Sequence, residues 1–253
     1  MFKMNKEIKI AVLDSVPRKY WADDGGITDA QKFIDLLTPE NALARFSTYY
    51  VSEQKFPESV DDYDAFMLTG SPASVSDDFE WMQRLSNLII EANQKNKRII
   101  GSCFAHQLIA KTFGGEVSNN ENGWMIGSYD LRIQPETNYA WMEPKANNTR
   151  LYHFNQERVT RLPDRAKAFA HSDDYPNFAY TIGDNILCLQ GHPEQPERAM
   201  NNFIAATPLS EKDLAKARRQ LENGVPDAKV WAQWMMRFFL HRRAPEVRVR
   251  ATG

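Results

Sequence analysis

The sequence predicts an α/β fold, a mixed, mostly parallel open sheet with helices on both faces, followed by a C-terminal helical appendage. Three observations predict it. Short apolar runs at 8–13 and 98–100 each lead through a turn into an amphipathic segment, the alternation expected of parallel βα units. Apolar runs at 169–172, 178–182 and 185–189 follow one another with only turns between them, so antiparallel strands must join the parallel ones. Residues 207–243 then carry two helical patterns. Residues 1–205 therefore read as the α/β domain, 206–243 as the appendage and 244–253 as a disordered tail.

The elements follow in order. Ile-Lys-Ile-Ala-Val-Leu at 8–13 is the first strand, ending at Asp14 and a Ser-Val-Pro turn. Residues 20–26 are loop, and Thr28 is the N-cap of a helix with Ala30, Phe33, Ile34 and Leu37 on its apolar face. Strands are expected at 46–51 and 63–68, the latter running into Thr69-Gly70-Ser71-Pro72. The clearest helix spans 80–93, where Trp81, Leu85, Leu88, Ile89 and Ala92 make one stripe for packing on the sheet. Beyond Gly114-Gly115, strands are expected at 129–133 and 151–156, separated by a polar, Pro-punctuated loop with at most a short helix. Gly183-Asp184-Asn185 is a hairpin-type turn into the strand at 185–189.

In the appendage, Ser210 and Asp213 mark the start of a helix that runs to about Asn223 and stops at Gly224. A second helix begins near Asp227, with Val230, Trp231, Trp234, Met235, Phe238 and Phe239 on one broad stripe. Such a face most simply packs on the body of the same chain, and a partner or dimer surface is the alternative.

Chemistry concentrates at 98–117. Ile99-Ile100 enters Gly101-Ser102-Cys103-Phe104-Ala105, and an amphipathic segment with Leu108, Ile109 and Phe113 leaves it: strand, sharp turn, helix, with a thiol at the apex. Small residues two before and two after the apex relieve crowding where the backbone is strained. A helix starting at Phe104 would point its positive end at the sulfur and favour the thiolate, the attacking form. Alone, such a cysteine reads equally well as a small buried residue.

A second pattern favours chemistry. A buried-strand run ends in Gln190-Gly191-His192-Pro193-Glu194, and in extended chain residues two apart project to the same side. His192 and Glu194 thus share a face, so the carboxylate can hold one imidazole nitrogen while the other meets a nucleophile.

Together, Gly-Ser-Cys-Phe-Ala-His-Gln at 101–107 and Gln-Gly-His-Pro-Glu at 190–194 resemble the signature pair of the class I, triad-type glutamine amidotransferases. The resemblance is nearest to stand-alone proteins similar to the glutaminase part of GMP synthase, a group that includes γ-glutamyl peptide hydrolases, and covers about residues 8 to 205. It implies a flavodoxin-like fold. It also implies Cys103 as nucleophile, His192 as proton shuttle and Glu194 as its brace. Gly70 or Ser71 would supply one oxyanion donor and the N–H of Phe104 the other, and Gln107 would contact the glutamyl part of the substrate. The histidine at 153 and the Gly-Trp-x-x-Gly segment at 123–127 also resemble family segments, although Trp124 reads as a loop anchor. One position departs from the family: Ala105 stands where glycine is usual, which puts catalytic competence in question.

The implied activity is hydrolysis of a γ-glutamyl amide through a Cys thioester, with glutamine as substrate and ammonia passed to a separate synthetase or acceptor protein. The rival within the class is a γ-glutamyl peptide or conjugate hydrolase or transferase, and a non-catalytic scaffold is the reading from another class. An α/β-hydrolase is disfavoured because there the acid precedes the histidine.

Bulk properties narrow the field. The 253 residues suit one large domain with an appendage, and the net charge of −2 gives no reason to expect nucleic acid or an acidic membrane as partner. Two distant cysteines suggest a reducing compartment, and the absence of a signal-like or membrane-spanning run suggests the cytoplasm. No phosphate-binding Gly-x-x-x-x-Gly-Lys loop occurs, and His106, His153, His171 and His241 lack ligand spacing, so neither a nucleotide nor a metal cofactor is expected. Cys188 alternates within a strand and reads as core.

Overall fold

The computed structural model describes residues 6–20, 25–173 and 175–241. The expected tail at 244–253 and part of the expected loop at 20–26 lie outside them. A nine-stranded mixed sheet forms the centre. Five strands run parallel in the order β2 (Ala44–Tyr50), β1 (Ile8–Asp14), β3 (Ala65–Leu68), β4 (Arg98–Ser102) and β11 (Ile186–Leu189). The sheet continues antiparallel through β10 (Tyr175–Ile182), β9 (Ala166–Ser172), β6 (Met125–Ile133) and β7 (Asn148–Asn155). The expected open, mixed, mostly parallel sheet is therefore what the chain forms.

Period-two alternation explains how both faces are covered. Ile8, Ile10, Val12, Ala65, Met67, Ile100, Leu187 and Leu189 belong to one apolar cluster, and their neighbours Ala11, Leu13, Phe66, Leu68, Ile99, Ile186 and Cys188 to the other. Helix α1 (Asp29–Leu37) covers the first face, while α2 (Glu80–Gln94) and α3 (Phe104–Thr112) cover the second. Thr28 caps α1 as expected, its hydroxyl accepting from the Gln31 N–H at 3.1 Å. The Asp14 carboxylate at the end of β1 accepts from the N–H groups of Val16 and Ala30, both at 2.9 Å, which ties the start of α1 to the sheet.

The late helices show where the final stripe goes. Helix α5 (Glu211–Leu221) starts at Ser210, whose hydroxyl accepts from the Asp213 N–H at 3.1 Å, and it packs on β6. Helix α6 (Ala228–Leu240) buries Trp231, Trp234, Met235, Phe238 and Phe239 in the cluster shared with α1 and the first sheet face. The simpler of the two readings of that stripe is thus the one the fold adopts.

Several elements differ from expectation. The strand expected at 178–182 begins at Tyr175, and the one expected at 129–133 begins at Met125. Two short strands, β5 (Glu116–Asn119) and β8 (Glu157–Arg161), form a separate ribbon that the sequence does not announce, because their residues are mostly polar and half-exposed. Helix α4 (Glu197–Ala206) was equally silent: it buries only Ala199 and Met200, too few to mark a stripe.

Trp234 is fully buried, meets Trp231 edge-on at 5.2 Å and donates its indole N–H to the Pro144 carbonyl at 2.8 Å. Trp234→Ala should therefore destabilise the protein by about 3–5 kcal/mol, read as a lower urea midpoint with an unchanged slope.

Candidate active site

Three neighbouring parallel strands, β3, β4 and β11, end side by side and hand their next residues to one edge of the sheet. Leu68 pairs with Gly101, and Ser102 with Leu189, so Gly70, Cys103 and the segment from Gln190 to Glu194 emerge together. This is the carboxyl edge, where α/β sheets place their ligand crevices.

Cys103 sits at the apex between β4 and α3 with φ 52° and ψ −109°, a conformation a non-glycine residue adopts only under constraint. Its N–H donates to the Leu189 carbonyl at 2.9 Å, which fastens the apex to β11. Glycine at 101 suits a crowded position: a Cβ there would lie 2.5 Å from Ile109 Cδ1, which would have to move, and 3.2 Å from the Ala105 backbone. The methyl of Ala105 is absorbed in the apolar cluster with Phe104, Leu108 and Ile109, and Cys103 keeps its strained backbone beside it. Phe104 opens α3, so its N–H belongs to the first turn, where no intrahelical acceptor exists.

His192 is held from two directions. Its backbone N–H donates to the Tyr152 carbonyl at 2.8 Å, and its Nδ1 lies 2.7 Å from Glu194 Oε1. The ring lies beside the Cys103 side chain, both of them within 4 Å of the point a Gly70 Cβ would occupy. Burial disfavours the imidazolium, but the Cys103 sulfur and the Glu194 carboxylate outweigh it and hold His192 well above its ordinary pKa. Gly70 closes the third side. A Cβ at that position would stand 3.3 Å from His192 Cε1 and 3.4 Å from Cys103 Cβ, so a larger residue would crowd the gap between thiol and imidazole. Ser71 is turned to the loop, its hydroxyl donating to the Ser15 carbonyl at 2.9 Å and accepting from the Ala73 N–H at 3.2 Å.

Gln107 is buried, and its amide donates to the Glu157 carbonyl and to Gln190 Oε1, both at 3.0 Å. Gln190 was not singled out from the sequence. Its Oε1 accepts from Gln107 and from the Tyr175 hydroxyl at 3.0 Å, which orients the amide so that Nε2 faces Cys103 Sγ at 3.5 Å. The signal was present, since Gln190 lies two residues before His192 on an extended segment. Tyr175 and Glu157 gave none, because they reach the site from antiparallel strands. His106 and His153 are core histidines: His106 Nε2 lies 2.9 Å from the Asn177 carbonyl, and burial pushes both His106 and His153 down to about 3. Burial likewise pushes the Cys188 thiol up to about 12.

Two cavities meet at the sulfur. One, of about 450 Å³, is bordered by Ser74, Gln107, Asn119, Trp124, Gln156 and Glu157. The other, of about 230 Å³, extends past Gly70 and His192 toward α1.

A thiol on a strained strand-to-helix elbow, beside a carboxylate-braced imidazole at the carboxyl edge of a mixed sheet, places the chain among α/β proteins whose candidate site lies at that edge. The sequence pattern of the family "Glutamine amidotransferase class-I" matches residues 40–209. The chain belongs to that family. Gamma-glutamyl peptidase 4 of Arabidopsis thaliana is 32% identical over 222 residues, covering 83% of this chain and 86% of that protein. Gamma-glutamyl peptidase 5 of the same plant is 28% identical, covering 80% and 84% respectively. Among solved structures, a glutamine amidotransferase from Thermotoga maritima superposes with a TM-score of 0.68 at 20% identity, covering 93% of this chain and 97% of that one.

Gln190→Leu removes the amide that faces the sulfur and leaves the Tyr175 hydroxyl short of an acceptor. It should slow alkylation of Cys103 by iodoacetamide at neutral pH by about tenfold, on the scale of one charge-assisted hydrogen bond, as followed by intact-mass spectrometry.

Proposed function

We propose that this protein hydrolyses a γ-glutamyl amide bond through a covalent thioester on Cys103. The observation that carries this is the placement of Cys103, at its strained elbow, beside His192 across Gly70, with His192 braced by Glu194 at 2.7 Å. The Cys103 sulfur attacks the γ-carbonyl carbon, and the N–H groups of Gly70 and Phe104 hold the oxygen of the tetrahedral adduct. Gly70 is favoured over Ser71 because it is the loop residue against Cys103 and His192. His192 gives its proton to the departing nitrogen and Glu194 steadies the imidazolium. Water activated by His192 then attacks the thioester carbonyl, releasing glutamate and restoring the thiol.

The polar cavity suits the glutamyl head group. A zwitterion needs donors and acceptors close together, and Asn119, Gln156, Ser74 and the Glu157 carboxylate supply them. Gln107, whose amide nitrogen donates to the Glu157 carbonyl and to Gln190, borders that cavity and offers it an amide oxygen. The names of the Arabidopsis relatives favour a γ-glutamyl peptide or conjugate as substrate over glutamine. Family membership keeps a second reading in play, in which glutamine is hydrolysed and ammonia passes to a separate acceptor protein.

Incubation with a γ-glutamyl electrophile such as an acivicin-like compound should add one mass equivalent, on Cys103 alone, and Cys103→Ala should remove both labelling and turnover. A folded protein that stays unlabelled would sink the catalytic reading and favour a binding scaffold. Glu194→Gln takes away one of the two groups that keep the proton on His192. The imidazolium should then be lost at lower pH, and the alkaline limb of the pH–kcat/KM profile should move downward.

A further inference from the structure

The second cavity carries information about the leaving group, on the basis of the chemistry proposed for Cys103 and His192. The two cavities share Cys103, Ser71, Pro72, Phe154 and Thr207, but His192 and Gly70 border only the smaller one. The departing nitrogen must receive its proton from His192. Whatever is attached to that nitrogen therefore lies on the imidazole's side of the carbonyl, in the smaller cavity, while the glutamyl head occupies the larger.

The size of that space does not match ammonia. By the same measure a molecule of water's size needs about 10–15 Å³, whereas the smaller cavity measures about 230 Å³. Its walls are mostly apolar: Val16, Tyr20, Ile27, Phe154, Phe203 and Ala206 border it. Tyr20 and Ile27 are among the few large apolar side chains exposed on the described surface, each 39% accessible. Phe154 packs between Trp124 and Phe203, with ring centroids 5.3 Å and 4.8 Å away, and so separates the polar cavity from the apolar one.

The charged groups at the base of the cavity neutralise one another. Lys32 Nζ lies 2.8 Å from Asp29 Oδ1 and donates to Gln195 Oε1 at 3.0 Å, and Gln195 Nε2 donates back to Asp29 Oδ1 at 3.0 Å. These bonds already engage the polar ends of Lys32, Asp29 and Gln195 with one another, and the walls, which reward apolar area, carry the discrimination.

We propose that the cavity between α1, α4 and His192 is a leaving-group subsite that selects an amine bearing an apolar side chain, as in γ-glutamyl-leucine or γ-glutamyl-phenylalanine, over ammonia or glycine. An apolar pocket gains roughly tenfold or more in discrimination per methylene well buried, so the preference over a side chain that is only hydrogen should be readily measured.

The test uses the full chain and compares kcat/KM for glutamine, γ-glutamylglycine, γ-glutamylleucine and γ-glutamylphenylalanine by release of ammonia or amine. The leucine and phenylalanine compounds should exceed γ-glutamylglycine by at least about tenfold. Ile27→Ser should pull the leucine-to-glycine ratio down severalfold, and because Ile27 is partly exposed its replacement does not threaten the fold. Phe203→Ser should do the same from the wall that α4 provides. If the four compounds are cleaved through Cys103 with no preference for the apolar ones, or if both variants leave the ratio untouched, the subsite is refuted and the γ-glutamyl hydrolase reading stands. If none of the four is cleaved, both fall together.

Discussion

The site depends on one pairing, the parallel alignment of β4 with β11. Ser102 and Leu189 are level in that ladder, and the Cys103 N–H extends it by one further bond to the Leu189 carbonyl. Neighbouring parallel strands that are level must release their chains at the same edge, so whatever follows Ser102 meets whatever follows Leu189. The bond also helps hold Cys103 at positive φ, because an N–H tied to β11 cannot rotate away while α3 begins at the next residue. With β3 as the third neighbour, Gly70 comes to the same corner, and its missing side chain leaves room for thiol and imidazole to lie side by side.

Around this corner the protein has a second problem, which is to bury polar groups without leaving them unpaired. Gln107 comes from α3, Gln190 from the end of β11, Tyr175 from β10, and the Glu157 carbonyl from β8. The Tyr175 hydroxyl, which donates to Gln190, also accepts from the Val159 N–H at 2.8 Å. Each group answers the needs of another element, so the network joins the antiparallel half of the sheet to the elbow of the parallel half. This gives the small ribbon of β5 and β8 a physical purpose: it carries the backbone carbonyl that orients Gln107.

Legibility followed the range of the interactions concerned. The βα units, the Thr28 and Ser210 caps and the stripe of α6 were readable because each is set by residues within a few positions of one another. The same holds for the elbow at Cys103 and for the His192–Glu194 pair, whose partners are two residues apart. Less was legible in β5, β8 and α4, which bury little and so imprint no period on the sequence. The buried setting of Gln107 was also hidden, since its two acceptors lie in distant segments.

Sequence alone determined the local devices: a glycine that lets β4 turn tightly against α3, a thiol at the turn, and an acid spaced to brace a histidine. Tertiary structure alone decided that these devices share one corner, that Gln190 turns its amide toward the sulfur, and that an apolar hollow opens beside His192. The reason is physical. Backbone preference and side-chain spacing act over a few residues, whereas a cavity is the space left when strands and helices far apart in the chain have packed.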